Sequence, residues 1–155
     1  MKRSFINPVG LHQSRFMSRA IKISDVGAMI YCSGMTPADE NYQAVHARDL
    51  KGQYNKVKAD CALVLEEAGA DWDDVVSVRT YVRDMEAFMT LFRTGEIEVP
   101  SSRTYPPCST VVEVSRLSDP EFLVEMEVVA ALPSDRTVLS RGGCATTAQI
   151  GDTDG

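Results

Sequence analysis

Two glutamates near the C-terminal end of the chain are the side chains best suited to do chemistry. Glu125 and Glu127 lie in an apolar run from Phe122 to Leu132. They are two residues apart, so they share one face if this run is a strand. Burial of a carboxylate is costly unless it is paired or hydrogen-bonded. The pattern therefore predicts a face that meets solvent, that pairs across a subunit boundary, or that holds a catalytic carboxylate.

The four cysteines have no spacing typical of a zinc site; they are Cys32, Cys61, Cys108 and Cys144. Scattered cysteines favour reduced thiols in a cytoplasmic protein over disulfides. Cys108 is either a nucleophile or a small residue that lines a pocket. No histidine is close to it in sequence to activate the thiol, which favours the lining role.

Composition limits the remaining function classes. A chain of 155 residues is expected to form one domain. Its 16 basic and 22 acidic residues give a net charge of −6, which speaks against a nucleic-acid partner. No apolar run approaches the ~20 residues that span a bilayer, and the N-terminus lacks the apolar segment of a secretory signal. Metal-ligand spacing and a phosphate-binding glycine loop are also missing from the sequence.

Hydrophobic periodicity predicts five strands and two helices. Strands are expected at 17–24, 28–33, 75–83, 111–114 and 122–132, the first two as a hairpin. A helix is expected at about 47–68, with Gly69 as its C-terminal stop. A second, short helix begins after Asp84 and has an apolar face of Met85, Phe88, Met89 and Phe92. The acidic run Asp71, Asp73 and Asp74 is interpreted as a solvated connector.

This order of elements predicts an α+β fold, with a mixed β-sheet and two helices on one face. The domain is expected to cover residues 1–132. Residues 133–155 contain few apolar side chains and are rich in Gly, Ser and Thr. We expect this C-terminal tail to be flexible or to lie on a neighbouring subunit.

Four blocks in this order resemble the Rid family, also called YjgF/YER057c. They are Tyr31-Cys32-Ser33-Gly34-Met35, then Leu65-Glu66-Glu67-Ala68-Gly69-Ala70, then Asp74-Val75-Val76 to Asp84 with Phe88, and finally Leu123 to Ala130. The resemblance implies a chorismate-mutase-like fold and a homotrimer with clefts between subunits. It also implies hydrolysis of small enamines and imines without a cofactor. In that mechanism an arginine holds the substrate carboxylate and a glutamate positions the attacking water.

The match to the family's site is partial. Ser33 matches the site serine, and Glu125 matches the water-positioning glutamate. The site arginine falls at Cys108, or at Ser109 if the gap is placed differently. Arg103 compensates for that arginine only if its loop folds back.

Three aromatic residues complete the candidate site. The family's helical asparagine falls near Phe92, and its N-terminal aromatic hydroxyl falls at Phe16 or Met17. Tyr105 is a candidate pocket wall.

The resulting prediction is a Rid-type hydrolase or deaminase that acts on a small enamine, imine or related C–N compound. Because the carboxylate-binding arginine is absent, the substrate is expected to be a specialised one. The alternative is a non-catalytic ligand-binding or protective trimer on the same scaffold, since a fold does not settle function.

Overall fold

A computed structural model of the chain describes residues 1–100 and 106–136. The strands are β1 (Lys2–Ile6), β2 (Ala20–Ser24), β3 (Ala28–Tyr31), β4 (Val75–Val82), β5 (Cys108–Glu113) and β6 (Val124–Leu132). The helices are α1 (Leu50–Glu67) and α2 (Met85–Thr94), and a short 3-10 turn spans Trp72–Asp74. The predicted α+β class is confirmed.

The main sheet has the strand order β3-β6-β4-β5. β5 runs parallel to β4, while β6 is antiparallel to both β3 and β4. Along β6, Val124, Met126 and Val128 are fully buried, whereas Glu125 and Glu127 are half-buried on the opposite face. The predicted alternation is therefore confirmed, and the strand carries its two carboxylates away from the core.

The predicted hairpin between 17–24 and 28–33 is wrong. β2 pairs with β1 instead, in a separate two-stranded sheet, and β3 pairs with β6. At the turn between β2 and β3 the backbone N–H of Gly27 donates to the carbonyl of Leu132. This bond directs β3 onto β6. The sequence prediction assigned no strand to residues 2–6, so β2 lacked its actual partner.

Helix α1 covers the sheet and anchors the start of β6. Asp49 caps its first turn by accepting from the N–H of Gly52, and Gly69 follows its end with φ +74°. Buried Gln53 donates to the carbonyl of Glu121 at 2.9 Å and accepts from the N–H of Leu123 at 2.8 Å. Both polar ends of this side chain are thus satisfied, and they fix the chain just before Glu125.

Helix α2 confirms the second predicted helix. The Asp84 side chain caps it by accepting from the N–H of Ala87 at 2.9 Å. Phe88 is buried against Tyr54 of α1, and Met85, Met89 and Phe92 pack against the core. The apolar stripe therefore serves packing, as its spacing predicts.

The interpretation of the acidic run as a solvated connector is wrong for Asp74. This residue is only 4% exposed and pairs with Arg3 of β1 at 3.5 Å and with Arg136 at 2.8 Å. Two guanidinium groups make its burial tolerable. The contact holds the N-terminal strand and residues 133–136 to the domain. The rest of the predicted tail, 137–155, lies outside the described residues.

Candidate functional site

A backbone irregularity after β3 brings a glycine against the carboxylate of Glu125. Beyond β3, Cys32 donates to the carbonyl of Val128, and Met35 bridges to Met126. The chain takes three steps from Cys32 to Met35 while β6 takes two, so one extra residue bulges out at Ser33-Gly34. Bulges of this kind re-aim side chains and are common beside active sites. The bulge brings Gly34 against Glu125, and the predicted site roles of Ser33 and Glu125 stay predictions.

The environment of Glu125 favours its neutral form. Burial, followed by the nearby charge of Glu127, raises the pKa of Glu125 above that of an ordinary glutamate. Within the described residues no ion pair offsets these two effects. A carboxyl whose pKa is raised in this way is suited to accept a proton from water and to return it.

Gly34→Ala tests the close approach of this glycine to Glu125. A Cβ at residue 34 would run into the Oε1 and Cδ atoms of Glu125, so the carboxylate must move. We expect stability to fall by about 1 kcal/mol, the low end of overpacking costs, because a flexible side chain gives way. Thermal unfolding measures this cost. In a Glu125→Ala background the same substitution has no obstacle, so a cost that persists there would contradict the contact.

Glu125→Gln is expected to stabilise the protein above acidic pH. In the fold the pKa of Glu125 is raised, so its ionised form destabilises the native state at pH values above that pKa. Below the unfolded pKa of about 4.3, both states are protonated and the effect disappears. The Tm difference between variant and wild type should therefore be positive at neutral pH and vanish at acidic pH. Exposed Glu66→Gln serves as the charge-matched control; a variant less stable than wild type at pH 7 would refute the assignment.

A second group of predicted residues gathers around the start of β5. Phe16 and Phe92 form an edge-to-face pair with centroids 5.1 Å apart, and the Arg15 guanidinium lies 4.6 Å from the Phe16 ring centre. Buried Ser18 ties this segment to β5: its N–H donates to the carbonyl of Pro107, and its hydroxyl donates to that of Pro106 at 2.7 Å. Phe16 therefore lies in a segment held next to the residues that precede Cys108, and Phe92 of α2 packs on Phe16.

The two candidates at the start of β5 point to opposite faces of the sheet. Cys108 is opposite Ser77, on the face that carries Glu125, whereas Ser109 is opposite Val78, which is buried in the core. Of these two predicted residues, Cys108 shares the outer face with Glu125 and Ser109 does not.

Glu125 and Cys108 are far apart within one chain. Glu125 lies opposite Tyr81, whereas Cys108 lies opposite Ser77, which in turn faces Val129. Glu125 and Cys108 are therefore separated by two strands across the sheet and by four residues along the strand direction. With strands ~4.8 Å apart and a rise of ~3.3 Å per residue, their Cα atoms are separated by ~16 Å. A small substrate cannot touch both in a single chain.

Three residues at these two places carried no site prediction from the sequence, and two predicted candidates lie outside the described residues. Arg103 and Tyr105 are the candidates that fall there. Gly34, Ser18 and Arg15 were missed as site residues. The resemblance carried Gly34 as part of a motif, but nothing in the sequence indicated that its missing Cβ makes room for Glu125.

Other features of the described residues lie elsewhere. An open depression of about 550 Å³ lies between the starts of α1 and α2 and is lined by Arg48, Lys51, Glu86, Thr90 and Glu96, among others. Within residues 1–100 and 106–136, no group of three or more His, Cys, Asp or Glu side chains is placed to hold a metal ion. In the same ranges, neither helix is both long and apolar enough to cross a membrane.

The fold and the glutamate-bearing strand define a class of small α+β proteins, and comparison with known proteins identifies the family. A family model described as Endoribonuclease L-PSP matches residues 13–132. The chain therefore belongs to this family, which is the Rid/YjgF family of the predicted resemblance.

Individual relatives agree with this assignment. A RutC family protein of Pyrococcus abyssi is 35% identical over 73% of this chain and 84% of its own length. The 2-iminobutanoate/2-iminopropanoate deaminase of Salmonella typhimurium is 30% identical over 68% of this chain and 81% of its own length. The solved Rid-family protein YyfB of Yersinia pestis is 29% identical and covers 85% of this chain and 100% of its own, with a TM-score of 0.72. The family thus includes imine deaminases.

Proposed function

We propose that this protein is a cofactor-independent deaminase that hydrolyses a small imine, or the enamine in equilibrium with it, to a carbonyl compound and ammonia. The observation that carries the proposal is Glu125, a half-buried carboxyl with a raised pKa that lies against Gly34. A relative that is 30% identical is named as a deaminase of 2-iminobutanoate and 2-iminopropanoate, which supports the same reaction type here.

In the proposed mechanism Glu125 carries two protons from oxygen to nitrogen. It takes a proton from water as the water oxygen attacks the imine carbon, and gives that proton to the nitrogen, which yields a carbinolamine. It then takes the hydroxyl proton of the carbinolamine and gives it to the nitrogen, so that the C=O bond forms, the C–N bond breaks and ammonia leaves. Ser33, on the bulge beside Glu125, supplies a hydroxyl that donates to the substrate.

The site is proposed to lie between two subunits of a homotrimer. The helix-free face of the sheet bears Glu125 at one place and Cys108 ~16 Å away, a distance that a neighbouring subunit can close. The same face exposes Tyr31, Met29 and Val112, with 75%, 39% and 39% of their surface accessible. Exposed apolar side chains at both edges of this face favour a covered surface over a solvated one.

The half-site around β5 is proposed to select the substrate. By the resemblance, Cys108 or Ser109 falls where the family's arginine would hold a substrate carboxylate, and the Phe16–Phe92 pair offers an apolar wall nearby. Arg15, stacked on Phe16, brings a positive charge to this wall. These residues favour a substrate with an apolar group near Cys108 and any carboxylate directed toward Arg15.

Ammonia release from imines generated in situ tests the function. An amino-acid oxidase supplies a series of 2-imino acids with small and bulky side chains, and an amine oxidase supplies imines without a carboxylate. We expect the protein to accelerate ammonia release over the buffer rate, most strongly for the bulkier or carboxylate-free substrates. If the wild type is inactive on 2-imino acids and Cys108→Arg is active, the substrate lacks a carboxylate at that place. If both are inactive on every substrate, the proposal fails.

A further inference from the structure

Among the described residues, Glu127 has hydrogen-bonding and charged partners that Glu125 does not have. Tyr81 donates its hydroxyl to Oε2 of Glu127 at 3.2 Å, and Nη1 of Arg79 lies 3.6 Å from the same oxygen. Both partners come from β4, where Arg79 lies directly opposite Glu127. The carboxylate of Glu127 is therefore held in place and matched by a cation.

The described surroundings of Glu125 contain no such cation or hydrogen-bond donor paired with its carboxylate. Its direct neighbour across the sheet is Tyr81, whose phenol is turned to Glu127. Arg79 on β4 and Arg83 just after it flank Tyr81, and among the described residues neither forms an ion pair with Glu125. From the bulge, Ser33-Gly34 presents no charged group. The negative charge that acts on Glu125 is therefore that of Glu127 on its own strand.

We infer that Glu127 is a positioning residue for the proposed reaction: a carboxylate, fixed by Arg79 and Tyr81, whose charge makes Glu125 a better proton acceptor. The inference rests on the proposed function for its purpose, although its physical basis does not need turnover. Two like carboxyls in unlike surroundings divide their roles, one paired with a cation and the other exchanging protons.

The phenol of Tyr81 is directed to Glu127 as a hydrogen-bond donor. Burial, and then the charge of Glu127 and the hydrogen bond to it, raise the pKa of Tyr81. The phenol therefore remains protonated at neutral pH and acts as a donor to Glu127. It leaves Glu125 free to face the bulge and a substrate.

Two substitutions with opposite expected signs test the inference. Glu127→Gln removes the negative charge at nearly constant shape, so the titration of Glu125 should move to lower pH. Arg79→Gln removes the neighbouring cation, so the same titration should move to higher pH. Carbon-13 NMR of the Glu125 carboxyl measures the titration directly, and the acidic limb of the kcat/KM profile should follow it in active preparations. Glu66→Gln, exposed on α1, is the charge-matched control and should leave the titration in place.

The outcomes separate this inference from the proposed function. Opposite shifts in the NMR titration support the inference even if no imine is turned over. Shifts of the same sign, or shifts no larger than that of Glu66→Gln, would overturn it. An inactive wild-type protein with opposite shifts would instead reject the deaminase proposal and leave the electrostatic coupling standing.

Discussion

Glu125→Ala should lower kcat/KM for ammonia release by about 10²- to 10⁴-fold, the usual contribution of a general acid–base residue. The reason is that Glu125 is the carboxyl that the bulge and burial prepare for proton transfer. Glu125→Gln should lose a similar factor, because an amide preserves the shape but cannot take the proton from water. The measurement is the initial rate of ammonia formation from in situ imines, with the buffer rate subtracted.

The controls for this experiment separate chemistry from folding. Thermal unfolding should show both variants folded, with Glu125→Gln at least as stable as wild type near neutral pH. Glu66→Gln should keep wild-type activity, since Glu66 is exposed on α1 and remote from β6 in sequence. Full activity in Glu125→Ala would refute the mechanism. A wild type without turnover, whose ligand binding survives Glu125→Ala, would support the non-catalytic alternative.

Two inactive variants should restore activity to one another when they assemble together. Glu125→Ala removes one half of the proposed cleft, and Cys108→Trp fills the other half. If each cleft takes Glu125 from one chain and Cys108 from its neighbour, random mixing at equal amounts leaves about one quarter of the clefts intact. Co-expression with two different tags, purification of the mixed oligomer and the ammonia assay test this expectation.

This complementation distinguishes a shared site from a site within one chain. Separately purified variants that are combined without subunit exchange should remain inactive. Mixed oligomers with no recovered activity would mean that both halves belong to one chain, against the ~16 Å separation inferred from strand register. Light scattering that gives a monomer at micromolar concentration would remove the shared cleft altogether.

The sequence by itself determined the elements whose signal is local. The apolar stripe of Tyr54, Val57, Cys61 and Leu65 specified α1, because a 3.6-residue period is a property of the helix alone. The alternation along 122–132 likewise placed Glu125 and Glu127 on one face of a strand. The cap at Asp84 and the stop at Gly69 followed from the backbone chemistry of single residues.

Only the tertiary structure decided which elements pair and which polar groups are buried. The partner of β2 is β1 and not β3, because strand pairing depends on the whole sheet and not on proximity in sequence. Asp74 is buried because Arg3 and Arg136, distant in sequence, meet it in space. Gly34 makes room for Glu125 for the same reason: a missing Cβ matters only where another chain segment approaches it.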